Sequence, residues 1–403
     1  MIFSFGEFIL DKRRIELRRA DKVCAVEPQV FDLLCYLIEN RDRVISKQEL
    51  FDTIWADRTV SDSALSSRIK AARQAIGDDG KSQNWIQTAH GRGFRFVGDV
   101  ASKLDPNPIA GNDDKRHEGQ RERVLVQKIQ YCKTADNVQI AYACLGQGRP
   151  LIKAANWMSH LEFDWESPIW RHWITELART HLLVRYDERG NGLSDRNVTD
   201  LTFEAMVADL ESVADAQGLD RFALFGISQG CAVSVEYAVR HPNRVTHLIL
   251  YGGFVKGWRK QNDPVEIGRR EAMSTLIRAG WGQDNPAFRQ LFTSRFMPGA
   301  SMEQMAWFNE LQRRTVSPEV AYQLHEIFGD IDVSHRLHHV QTPTLVLHAR
   351  RDGEIPLEAG RAFATGIPGA HFVTLESQNH ILLDTEPAFS QFIDEVSHFL
   401  EQF

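Results

Sequence analysis

The chain has 403 residues, a formal net charge of −7 and 43% hydrophobic residues, a length that exceeds one common core and suits two domains joined by a linker. No uninterrupted apolar run approaches the roughly 18 to 20 residues that span a bilayer, and the start MIFSFGEFILDKRR has neither a leading basic region nor a cleavage site, so a cytoplasmic protein with no membrane association is expected. Five cysteines, scattered and never in a C-x-x-C pair, argue against a disulfide framework or a zinc site. Residues 1–100 hold 16 Lys/Arg against 15 Asp/Glu, leaving 31 against 39 in the rest. Only the first segment can approach a phosphate backbone without strong repulsion.

That segment reads as short strands, three helices and a hairpin. Ile2–Phe5, Phe8–Leu10 and Ile15–Leu17 are strand candidates split by turn residues and charges. Pro28 opens a helix in which Phe31, Leu34, Leu37 and Ile38 share a face, and Ser46-Lys47-Gln48-Glu49 forms a capping box ahead of Leu50, Ile54 and Trp55. A third helix runs from about Asp62 to Ile76, with Leu65, Ile69, Ala72 and Ile76 as its apolar stripe. Its opposite face carries Ser63, Ser66, Ser67, Lys70 and Gln74, with Arg73 on the flank. Gly77-Asp78-Asp79-Gly80 stops the helix, and Trp85–Thr88 with Phe94–Val97 make a hairpin around His90-Gly91-Arg92-Gly93. The polar, proline-containing stretch 101–122 reads as a flexible linker.

On Pro28-Gln29-Val30-Phe31-Asp32-Leu33-Leu34, Val44-Ile45-Ser46-Lys47-Gln48-Glu49-Leu50, Trp55, Ile69-Lys70-Ala71-Ala72-Arg73 and Thr88-Ala89-His90-Gly91-Arg92-Gly93-Phe94-Arg95-Phe96, residues 1–100 resemble the OmpR/PhoB-type winged-helix DNA-binding domain. The resemblance implies that the third helix reads the major groove of double-stranded DNA and the hairpin wing enters the adjoining minor groove. Carried over residue by residue, it implies contacts from Ser66, Ser67, Lys70 and Arg73 on the helix and from Arg92 and Arg95 on the wing. Without it, Lys70 and Arg73 would read as solvated helix charges. A net charge near zero implies weak nonspecific binding, which a homodimer on a repeated site would supplement. The receiver domain of the family has no counterpart in the sequence, so the input signal is expected from residues 123–403.

Past the linker, strand candidates alternate with amphipathic helices: Ile129–Cys132, Gln139–Leu145, Pro150–Ala154, His181–Tyr186, Phe222–Gly226, Val245–Tyr251, Thr344–His348 and Ala370–Leu375. The alternation implies a parallel sheet covered on both faces. Gly226-Ile227-Ser228-Gln229-Gly230 sits between the strand Phe222–Phe225 and a helix beginning at Cys231. Chance places a G-x-S-x-G in about one chain in ten of this size. A tight strand-to-helix turn needs these glycines, however, because a side chain there would meet neighbouring backbone. Asp352 follows the strand Thr344–His348 and His380 follows Ala370–Leu375, both at carboxyl ends of strands, where open α/β sheets place their sites. His335, His338 and His339 lack a third-ligand pattern, so neither metal nor cofactor is expected.

With Asp187-Glu188-Arg189-Gly190-Asn191-Gly192-Leu193-Ser194-Asp195 as the turn after the fourth strand, residues 123–403 resemble the α/β-hydrolase fold. The resemblance implies Ser228 as nucleophile, His380 as general base and Asp352 as its orienter, with Glu354 or Asp384 as possible replacements for Asp352. Asp187 and Arg189 read as structural turn residues. Where family members carry His-Gly after the third strand, this chain has Lys153-Ala154-Ala155-Asn156-Trp157-Met158. The backbone N–H groups of Gln229 and Trp157 are the oxyanion candidates, and loss of the glycine would tilt the latter amide at a cost of about 3 kcal/mol, near a hundredfold in rate. The insertion between Tyr251 and His348 is rich in large apolar residues and implies a helical cap over about 255–335. Asn156, Trp157, Ser228, Trp281, Phe292, Phe296, Trp307 and Phe308 are expected to line a pocket for a small, largely apolar ester, lactone or acyl compound.

The expected architecture is an α+β winged helix-turn-helix over 1–100, then a doubly wound, mostly parallel α/β-hydrolase fold over 123–403. The expected function is transcription regulation, with the second domain sensing a small ligand and cleaving it slowly. The alternative is an active serine carboxylic-ester hydrolase whose DNA-binding domain serves localisation or autoregulation.

Overall fold

The computed structural model describes residues 2–11, 16–19, 22–24, 26, 28–41, 43–54, 62–89, 92–98, 100–103 and 125–402. The chain divides into two compact units, Met1–Gly119 and Gln120–Phe403.

The first unit runs β1 (Ile2–Phe5), β2 (Phe8–Asp11), β3 (Glu16–Arg19), β4 (Lys22–Cys24), α1 (Pro28–Glu39), α2 (Lys47–Ile54), α3 (Asp62–Ala75), β5 (Ile86–Ala89), β6 (Gly93–Phe96) and β7 (Ala101–Lys103). An antiparallel sheet has the order β4-β3-β2-β1-β7, and β5 and β6 form a separate hairpin. β7 falls in the stretch read as linker. Its backbone pairs with the edge of β1, Ile2 opposite Lys103, because an open strand edge recruits any extended neighbour. Residues 104–122 of that stretch lie outside the described residues, as do Ile15, Trp55, His90 and Gly91. The helix faces are those expected from periodicity: Phe31, Leu34, Leu37 and Ile38 of α1, Leu65, Ile69 and Ala72 of α3, and Ile76 just past its end are all buried. Ser46 Oγ accepts the Glu49 N–H (3.1 Å), but the Glu49 carboxylate turns away from the cap to Tyr36 Oη (2.8 Å) and Arg43 Nη1 (2.9 Å).

The second unit contains β8 (Lys128–Lys133), β9 (Gln139–Leu145), β10 (Arg149–Lys153), α4 (Leu161–Glu166), α5 (Arg171–Ala178), β11 (His181–Tyr186), α6 (Phe203–Ala216), β12 (Phe222–Ile227), α7 (Gly230–Arg240) and β13 (Val245–Tyr251). The helical insertion follows as α8 (Pro264–Gly280), α9 (Ala287–Phe296), α10 (Met302–Thr315) and α11 (Pro318–Asp330), then β14 (Thr344–Ala349), α12 (Leu357–Gly366), β15 (His371–Leu375) and α13 (Pro387–Glu401). The eight-stranded sheet has the order β15-β14-β13-β12-β10-β11-β9-β8; its pairs are parallel except those made by β9 with β8 and β11. β12 and β14 are buried at every position, which explains why they read as continuous apolar runs instead of alternating ones. Chain direction across the sheet reverses beside β10, so the loops leaving β10 and β12 flank a topological switch point, the crevice in which such sheets bind ligands. Among the described residues no helix is long and apolar enough to cross a membrane.

Candidate functional site

Ser228 occupies the turn between β12 and α7 at φ 56°, a left-handed conformation that strains a residue with a Cβ. The turn closes because its neighbours are small. A Cβ on Gly226 would lie 2.7 Å from Gly230 O, and one on Gly230 would lie 2.8 Å from Ala155 O. The Ser228 N–H is anchored to Tyr251 O at 3.0 Å.

Asp352, after β14, accepts the N–H groups of Glu354 (2.8 Å) and Ile355 (2.9 Å) on Oδ1 and meets His380 Nδ1 with Oδ2 at 2.7 Å. Both side chains are essentially fully buried. Burial alone would push the His380 pKa down, but the Asp352 carboxylate, by charge and by hydrogen bond, holds it above the ordinary histidine value. His380 Nε2 has no hydrogen-bond partner among the described residues, and Ser228 lines the same cavity. The two other carboxylates weighed from sequence are elsewhere engaged or placed: Glu354 is ion-paired to Arg270 and Arg295, and Asp384 is exposed. The insertion reaches this loop through the N–H of His380, which donates to Phe296 O at the end of α9 (2.8 Å).

The loop after β10 holds an arrangement that the sequence does not announce. The Trp157 N–H, the expected second oxyanion donor, donates to the side-chain oxygen of Gln229 at 3.1 Å. Gln229 Nε2 in turn donates to Glu188 Oε1 at 3.3 Å. Glu188 is buried, and burial pushes its pKa up to about 8. Met158 follows at φ 67°, a strained position for a bulky residue. The only sequence signal for this chain of contacts is a glutamine beside the serine and a glutamate within the Asp187–Arg189 turn. Asp187 accepts the N–H groups of Leu161 (3.1 Å) and Leu193 (2.8 Å), and Arg189 is buried against Asp209 (2.6 Å) and Asp136 (2.8 Å), so both act in the turn itself.

Above the elbow lies a cavity of about 350 Å³. Asn156, Trp157, Ser228, Phe296 and Phe308 line it. Trp281, Phe292 and Trp307 do not. Trp281 is buried behind Trp157, stacked at 5.4 Å, and spends its indole N–H on Gln312 O (3.0 Å); Phe292 meets both tryptophans edge-on; Trp307 stacks on Phe163 at 4.0 Å. Trp281 and Phe292 thus back the wall at Trp157, and Trp170, Phe254, Trp258 and Phe328 join the lining. One side of the cavity is charged, with Arg270, Arg295 and Glu354. Four ring nitrogens of lining residues, on Trp157, Trp170, His325 and His380, are buried without a hydrogen-bond partner among the described residues. Burial pushes the His325 pKa down to about 4, so this ring is neutral at ordinary pH. Its Nδ1 meets Ser274 Oγ (2.9 Å), whose hydroxyl donates to Glu326 (2.6 Å), leaving Nε2 as a lone-pair acceptor.

In the first unit, Ser66, Ser67 and Lys70 are exposed together on α3, and Arg92 and Arg95 are exposed on the hairpin. Arg95 Nε donates to Arg41 O (3.0 Å). Arg73 does not join this surface. It is 8% exposed and donates to Ile86 O from Nε (3.0 Å) and Nη2 (2.7 Å), and to Thr88 Oγ1 (2.9 Å), so it clasps the hairpin to α3 from inside. Its spacing from Ile69 and Ile76, four and three residues, places it within the apolar stripe.

The comparisons with known proteins separate along the same division. Residues 164–387 match the family described as alpha/beta hydrolase fold, and residues 21–96 match "Transcriptional regulatory protein, C terminal". The chain is 27% identical over 270 residues to the AB hydrolase superfamily protein YisY of Bacillus subtilis, covering 62% of this chain and 91% of that protein. It is 32% identical over 106 residues to the transcriptional regulator HilA of Salmonella typhimurium, covering 26% of this chain and 19% of HilA. Among solved structures, the enol-lactonase from Burkholderia xenovorans LB400 superposes with a TM-score of 0.56 at 20% identity, over 68% of this chain and 100% of that one. The esterase RhEst1 from a Rhodococcus species gives 0.57 at 22%, over 68% and 98%. The chain therefore belongs to the alpha/beta hydrolase fold family and carries at its N-terminus an OmpR/PhoB-type transcriptional regulatory domain.

Proposed function

We propose that the chain is a DNA-binding transcription regulator whose hydrolase-fold cavity senses a small ester, lactone or acyl compound and cleaves it slowly. The observation that carries this reading is the Trp157 N–H held by the Gln229 side chain at 3.1 Å. Asp352 and His380 are in working order for acyl chemistry, whereas the donor pair that would stabilise a tetrahedral oxyanion is half occupied by the protein itself. Such a pocket binds better than it turns over.

In this proposal Ser228 Oγ attacks the carbonyl carbon, its proton passes to His380 Nε2, and Asp352 stabilises the imidazolium. The developing oxyanion takes the Gln229 N–H, and the Trp157 N–H joins only when the Gln229 carboxamide rotates away. Ser66, Ser67 and Lys70 face the major groove, Arg92 and Arg95 the backbone and minor groove, in a cytoplasmic homodimer on repeated half-sites. Ligand changes DNA binding only if its affinity differs between the DNA-competent state and another.

The geometry at Asp352 and His380 also favours the second reading, an efficient serine ester hydrolase. The two separate in one experiment, in which promoter-fragment binding and 4-nitrophenyl ester turnover are measured for wild type and Ser228→Ala. Loss of turnover with DNA binding retained is expected. Fast wild-type turnover with no footprint on any genomic fragment would overturn the regulator.

A further inference from the structure

Resting on that reading of the cavity, we propose that its ligand carries, besides the carbonyl that meets Ser228, a carboxylate or an equivalent anionic group, and that Arg295 receives it. The charged side of the cavity is an ordered ladder. Arg269 pairs with Glu266 (2.8 Å), Glu266 with Arg270 (2.7 Å), Arg270 with Glu354, and Glu354 with Arg295 (2.7 Å). Three guanidinium groups face two carboxylates, so the ladder carries one excess positive charge and ends in an arginine on both sides.

The interior members are fully used. Arg270 spends Nε on Glu266 and both terminal nitrogens on Glu354, on its carboxylate and its backbone oxygen (3.0 Å). Arg295 differs. Glu354 Oε2 takes only its Nε (2.7 Å), and no acceptor engages its two terminal nitrogens among the described residues. Its side chain is 23% exposed, between the buried Glu354 (8%) and Arg269 at the other end of the ladder (54%), so Arg295 is the end arginine that is reachable yet sheltered from bulk water, where an ion pair is screened least. The neighbouring Phe296 ring lies 5.3 Å from that of His380, and a Cβ on Gly353 would lie 2.6 Å from Arg295 O, which places the arginine beside the loop that holds Asp352.

An arginine already oriented through Nε and open on the opposite edge is built for a planar, two-oxygen acceptor, which a carboxylate supplies. The aromatic members Trp258, Phe254 and Phe328 then cover the apolar part of the ligand. The ligand is thus amphipathic, an ester, lactone or acyl compound with an acidic group, and a purely apolar acyl chain would leave Arg295 unanswered.

The test is calorimetric titration of full-length Ser228→Ala with monoethyl esters of four-, six- and eight-carbon diacids against ethyl esters of the matching neutral acids. A charge-assisted pair is worth roughly tenfold in affinity, so at one chain length at least the half-ester is expected to bind about ten times more tightly, by a margin that shrinks with salt. Arg295→Gln is expected to abolish the preference, the half-ester and the neutral ester binding equally to that variant, and Arg295→Lys to keep part of it. Equal or tighter binding of the neutral ester at every length overturns the carboxylate site, as does a preference that survives Arg295→Gln. Failure of both ester classes to bind overturns the cavity reading on which it rests.

Discussion

At His380 the protein sets its own working range. The imidazole is raised above its ordinary value of about 6.5 because Asp352, and more weakly Glu354, favour the charged ring against burial and Arg270. Only the neutral ring can take a proton from Ser228, so ester cleavage by wild type is expected to rise with pH through a midpoint above 6.5. Asp352→Asn should lower that midpoint and cut kcat by roughly 10⁴; a midpoint that does not move would refute the pairing. The sign for stability is opposite. A raised histidine pKa contributes stability that is fully present below about pH 6.5 and is lost as pH climbs through the folded value. Gln229 supplies a second residue-scale expectation: Gln229→Ala frees the Trp157 N–H, and kcat should increase, by up to roughly a hundredfold if a full oxyanion donor is recovered. A fall in kcat with no change in KM would show instead that the carboxamide assists. That Ser228, Asp352 and His380 border one cavity was legible in the sequence, because their order and their places after strands bring them to the same edge of the sheet. The occupied amide was not, since a backbone N–H leaves no trace in the residue type.

Among the elements, α3 and the insertion carry the two clearest lessons. The stripe of α3 was readable because apolar residues at helical spacing report burial directly; Arg73 misled because a charged residue was assigned to the surface by type, against its spacing from Ile69 and Ile76. Arg73→Ala is accordingly expected to destabilise the first unit by about 1–3 kcal/mol, leaving Ile86 O without its donors. Lys70→Ala should leave stability alone and weaken DNA binding. Thermal melts and anisotropy titrations on the same two variants decide between these roles. In the insertion, large apolar residues revealed a cap but not which of them face inward, because a helix packed on several sides buries aromatic residues for structure as readily as for lining. Glu354 joins cap to core through Arg270 on α8 and Arg295 on α9. Glu354→Gln, which strands Arg295 and leaves Arg270 with Glu266 as its one carboxylate, should cost about 3–5 kcal/mol in chemical denaturation of the second unit; a loss under 1 kcal/mol would mean that water takes over the lost pairing.

For the molecule as a whole, the change from strand-and-hairpin text to strand-helix alternation already separated a DNA-reading unit from a ligand-binding one. Coupling between them stayed illegible, because it depends on an energy difference between states and not on a motif. The wing tests the DNA-reading half alone: Arg92→Ala should weaken DNA binding and reduce the salt slope by about one unit, with ester turnover untouched. Sensing requires more, namely that filling the cavity alters DNA affinity. The direct measurement is the affinity of the full chain for its own upstream DNA, before and after Ser228 is capped by 4-nitrophenyl hexylphosphonate. A regulator of the proposed kind should shift by about 5- to 150-fold, the span of an ordinary allosteric coupling. Stoichiometric capping of Ser228 with no shift in DNA affinity would contradict it.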